Sequence, residues 1–541
     1  MNKGGGRVHA SNFMEICAIR GMDIYMKNNP IIWSDYPDPD VIRVEDTYYM
    51  ISTTMHFMPG GVILRSYDLI HWEIITYVYE ELDRTPAQCL VGDETIYGKG
   101  MWAASIRYHN SKFYVCFVCN DTGKTYLYHS NNIMGPWEKQ IIEGFYHDCS
   151  LLFDDDGRVF IVYGNSKIHL VELNKELTEP KVGGISRVIV EEKGNVTLGY
   201  EGAHFYKING KYYLFLIHWP KDGFGRRTEA CYVANSIESE FVGKDVLDDD
   251  MGYLNQGVAQ GGIVDTPWGD WFAMCFQDHG AIGRIPVLIP VQFINDFPVF
   301  GIENKVPHYI TIPSTYPEHV YPPLYDSDNF NYIPDEKGRI QLKKVWQWNH
   351  TPEHNLWCIT KQPQALRIIS GKISGDVTLA TNTLTQRMVG PVTTATVTVD
   401  GRQLKNGDFA GLCALQGCYG LIALTKEDEK FYLAMIGKEP KESESIWGIK
   451  GSDRQSGKEY ERIPFPQSKV TFQLKANFYD NIDEVEFYYK EGESFVKLGP
   501  TVKLYFKLDH FTGCRVGLFL YSTKTIGGSV GFTDFCYSVK E

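Results

Sequence analysis

The run SKFYVCFVC (111–119) opens on turn-forming polar residues, passes through an aromatic pair and continues as unbroken apolar sequence. It is too short for a helix and rich in the residues that favour strands. Four other runs follow the same plan: DTYYMISTT (46–54), GRVFIVYG (157–164), GKYYLFLI (210–217) and GDWFAMCF (269–276). Their aromatic or apolar pairs end at Tyr49, Tyr114, Phe160, Tyr213 and Phe272, with spacings of 65, 46, 53 and 59 residues. A recurrence at that interval matches one four-stranded sheet per repeat, the unit of a β-propeller. Five repeats predict five blades.

A weaker repeat supports this reading. ILRSYDLIHWEII (63–75) and LYHSNNIMGPWEKQII (127–142) share a Ser, a turn and a Trp followed by Glu, as equivalent outer strands of consecutive blades would. Residues 301–330 are rich in Pro and Tyr and lack a clean period, so they read as a linker. Beyond them, TATVTVDG, YGLIALT, KFYLAMIG, KVTFQLKA, EVEFYYKEG and CRVGLFLYS alternate apolar and polar residues between turns, the pattern of a β-sandwich. The predicted organisation is all-β: an extension at 1–24, a five-bladed propeller at 25–310, a linker at 311–330 and a sandwich at 331–541. The extension, MNKGGGRVHASNFMEICAIRG onward, has no element period and is set aside as upstream or vector-derived sequence.

The 541 residues carry 53 Lys and Arg against 67 Asp and Glu, a net charge of −14. That sign opposes electrostatic binding of nucleic acid or anionic lipid and suits a neutral or cationic ligand. No apolar stretch approaches about 18 residues, and the N-terminus lacks the layout of a signal peptide, so the expected location is cytoplasmic, with no membrane partner. The twelve cysteines are scattered, without the spacing of a disulfide framework. Cys116 and Cys119 form a lone CxxC, but residues three apart on a strand face opposite sides. HExxH, Walker, GxGxxG and GxSxG patterns are missing in usable context.

The inner strands of a propeller line a central channel, so residues at their starts converge on one axis. Trp102, Asp148, Glu201 and Gln260 each lie 12 residues before an aligned aromatic or apolar position, and Asp38 lies 11 before Tyr49. Three carboxylates, a Trp and an amide therefore meet. Such acids can divide labour by environment, one ionised and one protonated. Glycoside hydrolysis needs that division, because the leaving oxygen must gain a proton while water attacks the opposite face. The Trp offers a flat surface on which a sugar stacks.

YPDPDVIRVEDTYYM, PGGVILRSYDLIHWE, HDCSLLFDDDGRVFIVYG, GYEGAHFYKINGKYYLF and QGGIVDTPWGDWF resemble glycoside hydrolase family 43. WQWNHTPEHNLW, NTLTQR and GDFAGLCALQGCYG resemble the concanavalin-like sandwich of its xylosidase and arabinofuranosidase branch. The resemblance implies an inverting mechanism in which Asp38 is the general base, Asp148 tunes the acid's pKa and orients substrate, and Glu201 is the general acid. Asp40 is the rival of Asp38. It further implies that Arg284 reaches sugar hydroxyls, with a salt bridge to Asp148 or Asp278 as the alternative, and His279 in the same segment is a further pocket candidate. His56, which follows the first of the repeated strands in TTMHFMPG, either lines the pocket mouth or is a buried, satisfied histidine. Gln260 stands where relatives place a His that helps hold a calcium ion near the axis. A structural calcium is thus in question, and no cofactor is required for the chemistry.

The expected substrate is a small arabinoxylan- or xylan-derived oligosaccharide, cut at terminal or branching α-L-arabinofuranosyl units, with β-D-xylosidase action as the alternative. Two other classes compete: a non-catalytic sugar-binding propeller, and a phosphorylase, which would need cations beside the acid. The sandwich is expected to lend a loop to the pocket rim. Oligomeric state is left open by the sequence.

Overall fold

The computed structural model describes residues 24–439 and 456–540. Apart from Ile24, the predicted extension lies outside the described residues. Helical structure among the described residues is confined to four single 3-10 turns; everything else regular is strand.

Five antiparallel four-stranded sheets follow one another at 40–79, 101–142, 150–191, 196–247 and 259–300, hereafter blades I to V. The runs quoted above form the second strand of each blade. Their aligned residues Tyr49, Tyr114, Phe160, Tyr213 and Phe272 pair with Ile42, Arg107, Leu152, Tyr206 and Val264 of the innermost strands. Near-continuous apolar sequence is required there because a second strand is covered on both faces by neighbouring blades. The 63–75 and 127–142 repeats form the outer two strands of blades I and II.

Each innermost strand packs against the next, and that of blade V against that of blade I, closing the ring. Among the described residues each blade takes its four strands from one continuous segment. Closure comes instead from Ile24–Asn28 pairing with Tyr309–Pro313 outside blade V. Asn29 fastens the junction, donating from its amide to the carbonyls of Leu288 and Pro307, both at 2.8 Å. The chain then follows blade I, where Thr315 N–H reaches Tyr67 O and Tyr321 accepts from Tyr67 N–H.

The C-terminal domain stacks two sheets. Val392–Gln403 shows why: Thr393, Ala395, Val397 and Val399 are buried while the residues between them are partly exposed, the period of two that a face-packed strand demands. Trp346 and Trp348 are core residues, 2% and 5% exposed.

The two domains share backbone and core. Phe57–Met58, between the second and third strands of blade I, joins an edge of the sandwich by pairing with Trp348 and Asn349. One apolar cluster runs from Tyr36, Met50 and Ile285 to Trp346, Leu412 and Val516. Buried Asp35 ties the seam, accepting from the N–H groups of Arg284 and Gly513, while its carbonyl accepts from Arg387 Nε.

Candidate active site

Inner strands normally alternate their side chains, so sending several consecutive groups toward one end of the channel requires breaking the strand. In blades II, IV and V the pairing register shifts at Met101–Ala104, Leu198–Glu201–His204 and Ala259–Gly262, which places Trp102 and Gln260 within irregularities and leaves Glu201, opposite Ile217, flanked by one on each side. In blades I and III the residue precedes the strand in left-handed backbone: Asp38 has φ 51° and Asp148 φ 49°. Gln260 is also left-handed, with φ 58°. Each such residue costs roughly 1–2 kcal/mol relative to ordinary backbone, strain that collects at functional sites. Gly202, φ 64°, is a position where glycine is needed twice over, since a Cβ there would come within 2.7 Å of the Gln260 side chain.

These breaks open a pocket of about 300 Å³, at the small end of ligand sites. Asp38, Trp102, Asp148, Glu201, Gln260 and Arg284 all line it. Asp148 and Glu201 come from neighbouring blades III and IV. Asp38 comes from blade I, adjacent to neither, and so faces that pair across the channel.

Arg284 Nη1 donates to Asp38 Oδ1 at 2.7 Å. The partner is thus Asp38, and neither of the two acids the sequence suggested. Burial pushes the Asp38 carboxyl up, against the pull of Arg284. Burial also raises Asp148, opposed by His147 and reinforced by the charge of Glu201. Several buried polar atoms of this lining have no hydrogen-bond partner within the protein: Trp102 Nε1, Asp148 Oδ1, and Arg284 Nε and Nη2. Buried groups of this kind are ordinarily satisfied, and a polyol is a ligand that offers both donors and acceptors to them.

Below the pocket the channel is filled. Asp40 is fully buried and accepts from Arg107 Nη1 at 2.6 Å, from Ile106 N–H, and from His204 and Tyr206. Burial alone would raise its carboxyl, but Arg107 and His204 outweigh that and lower it. Arg107 also reaches Ser150 Oγ, Leu151 O and Phe205 O, so one guanidinium ties blades I, II, III and IV together. Asp40 does not line the pocket.

Two predicted residues lie elsewhere. His56 ends the run after the second strand of blade I and is buried at the domain seam among Phe57, Tyr97, His350 and His510. His279 is buried between Trp33 and Tyr253, its Nε2 2.7 Å from Gln277 Oε1. Burial lowers both imidazoles, His279 to about 4. Each packs into aromatic surroundings outside the pocket.

Other lining residues were not singled out from sequence. His147 Nε2 stands 3.5 Å from Glu201 Oε2 and 3.6 Å from Asp148 Oδ2. Asn165 donates to the same Glu201 oxygen, and Arg227 pairs with Asp278. Leu508 and Phe511 arrive from the sandwich. The Phe511 ring lies 4.2 Å from the Arg284 guanidinium and 5.7 Å from the Trp102 ring, completing an aromatic wall. His147 sat beside Asp148 in HDCS, a signal that was present. Phe511 gave none, being more than 200 residues away from the propeller.

The calcium expectation meets an unsuitable donor set. Gln260 offers one amide oxygen; the carboxyl that accepts from its N–H, Glu229, is pushed well up by burial and favours its neutral form. The axis beneath carries Arg107. A cation that takes six to eight oxygens does not fit there. His147, Asp148 and Glu201 bring polar atoms within 4.8 Å of one another. The charge of Asp148 raises the imidazole to about 9, which favours its charged form and an ion-paired cluster with the two carboxyl groups.

A small aromatic-walled pocket with acids set apart across it is the arrangement a glycosidase uses. Residues 27–298 match the sequence profile of glycosyl hydrolases family 43, and residues 338–538 match that of the beta xylosidase C-terminal concanavalin A-like domain. The chain belongs to glycosyl hydrolases family 43. It is 25% identical to a beta-xylosidase of Formosa agariphila over 94% of this chain and 90% of the relative. It is 27% identical to a non-reducing end alpha-L-arabinofuranosidase of Bacteroides ovatus over 63% of this chain and 64% of the relative. Among solved structures, a bifunctional GH43-CE protein of Bacteroides eggerthii superposes with a TM-score of 0.86 at 38% identity. That match covers 96% of this chain, which spans 64% of the other.

Proposed function

We propose that the protein is an inverting, exo-acting glycosidase that releases single pentosyl units from short xylan-derived oligosaccharides. The observation that carries this reading is the placement of Asp38 across the channel from the Asp148–Glu201 pair in a pocket whose lower end is filled. Glu201 donates its proton to the glycosidic oxygen as the bond to the anomeric carbon breaks. Water adds to that carbon from the opposite face and gives its proton to Asp38. Asp148 and Arg284 orient the sugar through the polar atoms they leave unpaired. A pocket closed below accommodates a chain end or a side branch and disfavours mid-chain cleavage.

Terminal or branching α-L-arabinofuranosyl units are the first substrate reading. β-D-Xylosyl units are the second, favoured by the relative named beta-xylosidase that matches nearly the whole chain. Phosphorolysis is disfavoured, because Arg227, Arg284 and His147 are each already paired with a carboxylate. Incubation with an arabinose-branched xylo-oligosaccharide, followed by chromatography of the released sugar, tests the assignment. Arabinose alone supports the first reading and xylose alone the second; release of neither contradicts the proposal.

A further inference from the structure

The hairpin that joins the second and third strands of blade III is fastened to the strand that carries Glu201. Ser166 N–H donates to the carbonyl of Tyr200, the residue before Glu201, at 2.8 Å. Gly164 N–H donates to His147 O at 3.0 Å, tying the same hairpin to the segment that leads into Asp148. The close seating needs a glycine in the facing strand, since a Cβ on Gly199 would come within 2.1 Å of Ser166 Oγ. Asn165 lies between these two anchors and lines the pocket. Its Nδ2 donates to Glu201 Oε2, while its Oδ1 accepts from Ser166 Oγ at 3.0 Å. His147 Nε2 faces the same carboxyl oxygen from 3.5 Å, so both contacts fall on Oε2 and neither on Oε1.

We propose that Asn165 is a positioning residue for the general acid: by donating to Glu201 Oε2 it leaves Oε1 as the oxygen that carries and delivers the proton. The inference rests on Glu201 being the proton donor. An N–H aimed at Oε2 takes up a lone pair there, so the hydroxyl of the protonated carboxyl belongs on the other oxygen. The terminal torsion of a glutamate is broad and roughly two-fold, so without that contact either oxygen presents the proton. In the reaction the electron pair of the breaking bond passes from the anomeric carbon to the leaving oxygen. That oxygen takes the Oε1 proton, and Glu201 is left as a carboxylate. The developing charge is shared by Oε2, and a hydrogen bond to an ionised acceptor is stronger than one to a neutral acid. Asn165 therefore holds Glu201 more firmly in the transition state than before it, which is the kind of difference that speeds a chemical step.

The test compares two substrates in wild type and Asn165→Ala. One is the arabinose-branched xylo-oligosaccharide, whose sugar oxygen must be protonated as it leaves. The other is the dinitrophenyl glycoside of the pentose that wild type releases, whose phenolate departs without a proton. Asn165→Ala should lower kcat/KM about tenfold or more for the oligosaccharide and less than about twofold for the aryl glycoside. The ratio of the two is independent of the folded fraction. Where Asn165→Ala does not fold at all, Ser166→Ala, which keeps the amide but frees it, is read by the same ratio. Equal losses on both substrates overturn the inference, since they mark Asn165 as a sugar contact or a support of the fold. An undiminished rate on the oligosaccharide overturns it as well. Glu201→Ala separates the two failures. If it loses the same factor on both substrates, the acid assignment falls and Asn165 with it. If it spares the aryl glycoside while Asn165→Ala does not, the acid assignment stands and the role of Asn165 falls.

Discussion

In the proposed mechanism Asp38 takes up a proton and Glu201 gives one up, and their surroundings in the pocket differ. Asp38 is 5% exposed and bound to Arg284, whereas Glu201 is more accessible and bound to His147 and Asn165. Replacing Glu201 by Gln keeps its shape and removes the proton, so kcat should fall about 10²–10⁴-fold while substrate still binds. Turnover measured beside calorimetric binding checks this, and a parallel loss of binding would speak for a structural role. Asp38 must be ionised to accept a proton, so activity should rise with pH through its raised pKa. Arg284→Met withdraws the charge that opposes burial and should push the acidic edge further up; a fall or no change in that edge would contradict the assignment.

The blade is the element at which the sequence was most legible. Second strands are covered on both faces, so their composition is constrained by packing, and aligned residues such as Tyr114 and Phe160 pair in matching positions with the inner strand. Counting back from them found Trp102, Asp148, Glu201 and Gln260 because blades II, IV and V break the inner strand, and blade III begins it, at a comparable place. His279 did not reach the pocket, and of the two readings of His56 the buried one holds, for the same local reason. Each follows a second strand at the pocket end of the blade, but its side chain turns into the domain seam or a neighbouring aromatic stack. Arg107 was legible only as one residue of a strand, since its partners lie on three other blades. Its ion pair with Asp40 is buried, and removing one partner of such a pair typically costs 3–5 kcal/mol. Arg107→Met should destabilise the fold by about that amount in denaturant unfolding; a loss below about 1 kcal/mol would mean that the ring does not depend on this tie.

At the scale of the whole molecule, the sandwich is part of the pocket and of the propeller's core. Phe511 and Leu508 reach the pocket from a segment whose neighbour His510 stacks on Tyr97 of the propeller, 3.7 Å between ring centroids. Sequence periodicity reports how a strand packs within its own sheet and carries little about a contact between distant loops. Phe511→Ala should therefore raise KM, with the fold intact by circular dichroism; unchanged kinetics would remove the sandwich from substrate binding. The seam also holds His56, His350 and His510, all lowered chiefly by burial, His350 to about 3. Neutral in the fold, they take up protons when the chain unfolds. Their contribution is thus complete above the unfolded value near 6.5 and is lost as pH falls below it. Thermal unfolding should show the midpoint dropping between pH 7 and pH 5, and a flat or rising midpoint would contradict a neutral seam.

The central claim is that water attacks from the Asp38 side while Glu201 protonates the leaving oxygen from the other. Proton NMR of the sugar in the first minutes of reaction, before its anomers equilibrate, reads that geometry directly. The account predicts that the first pentose to appear carries the anomeric configuration opposite to that of the bond cleaved. A first product of retained configuration would contradict it, since retention requires a carboxylate close enough to form a covalent intermediate.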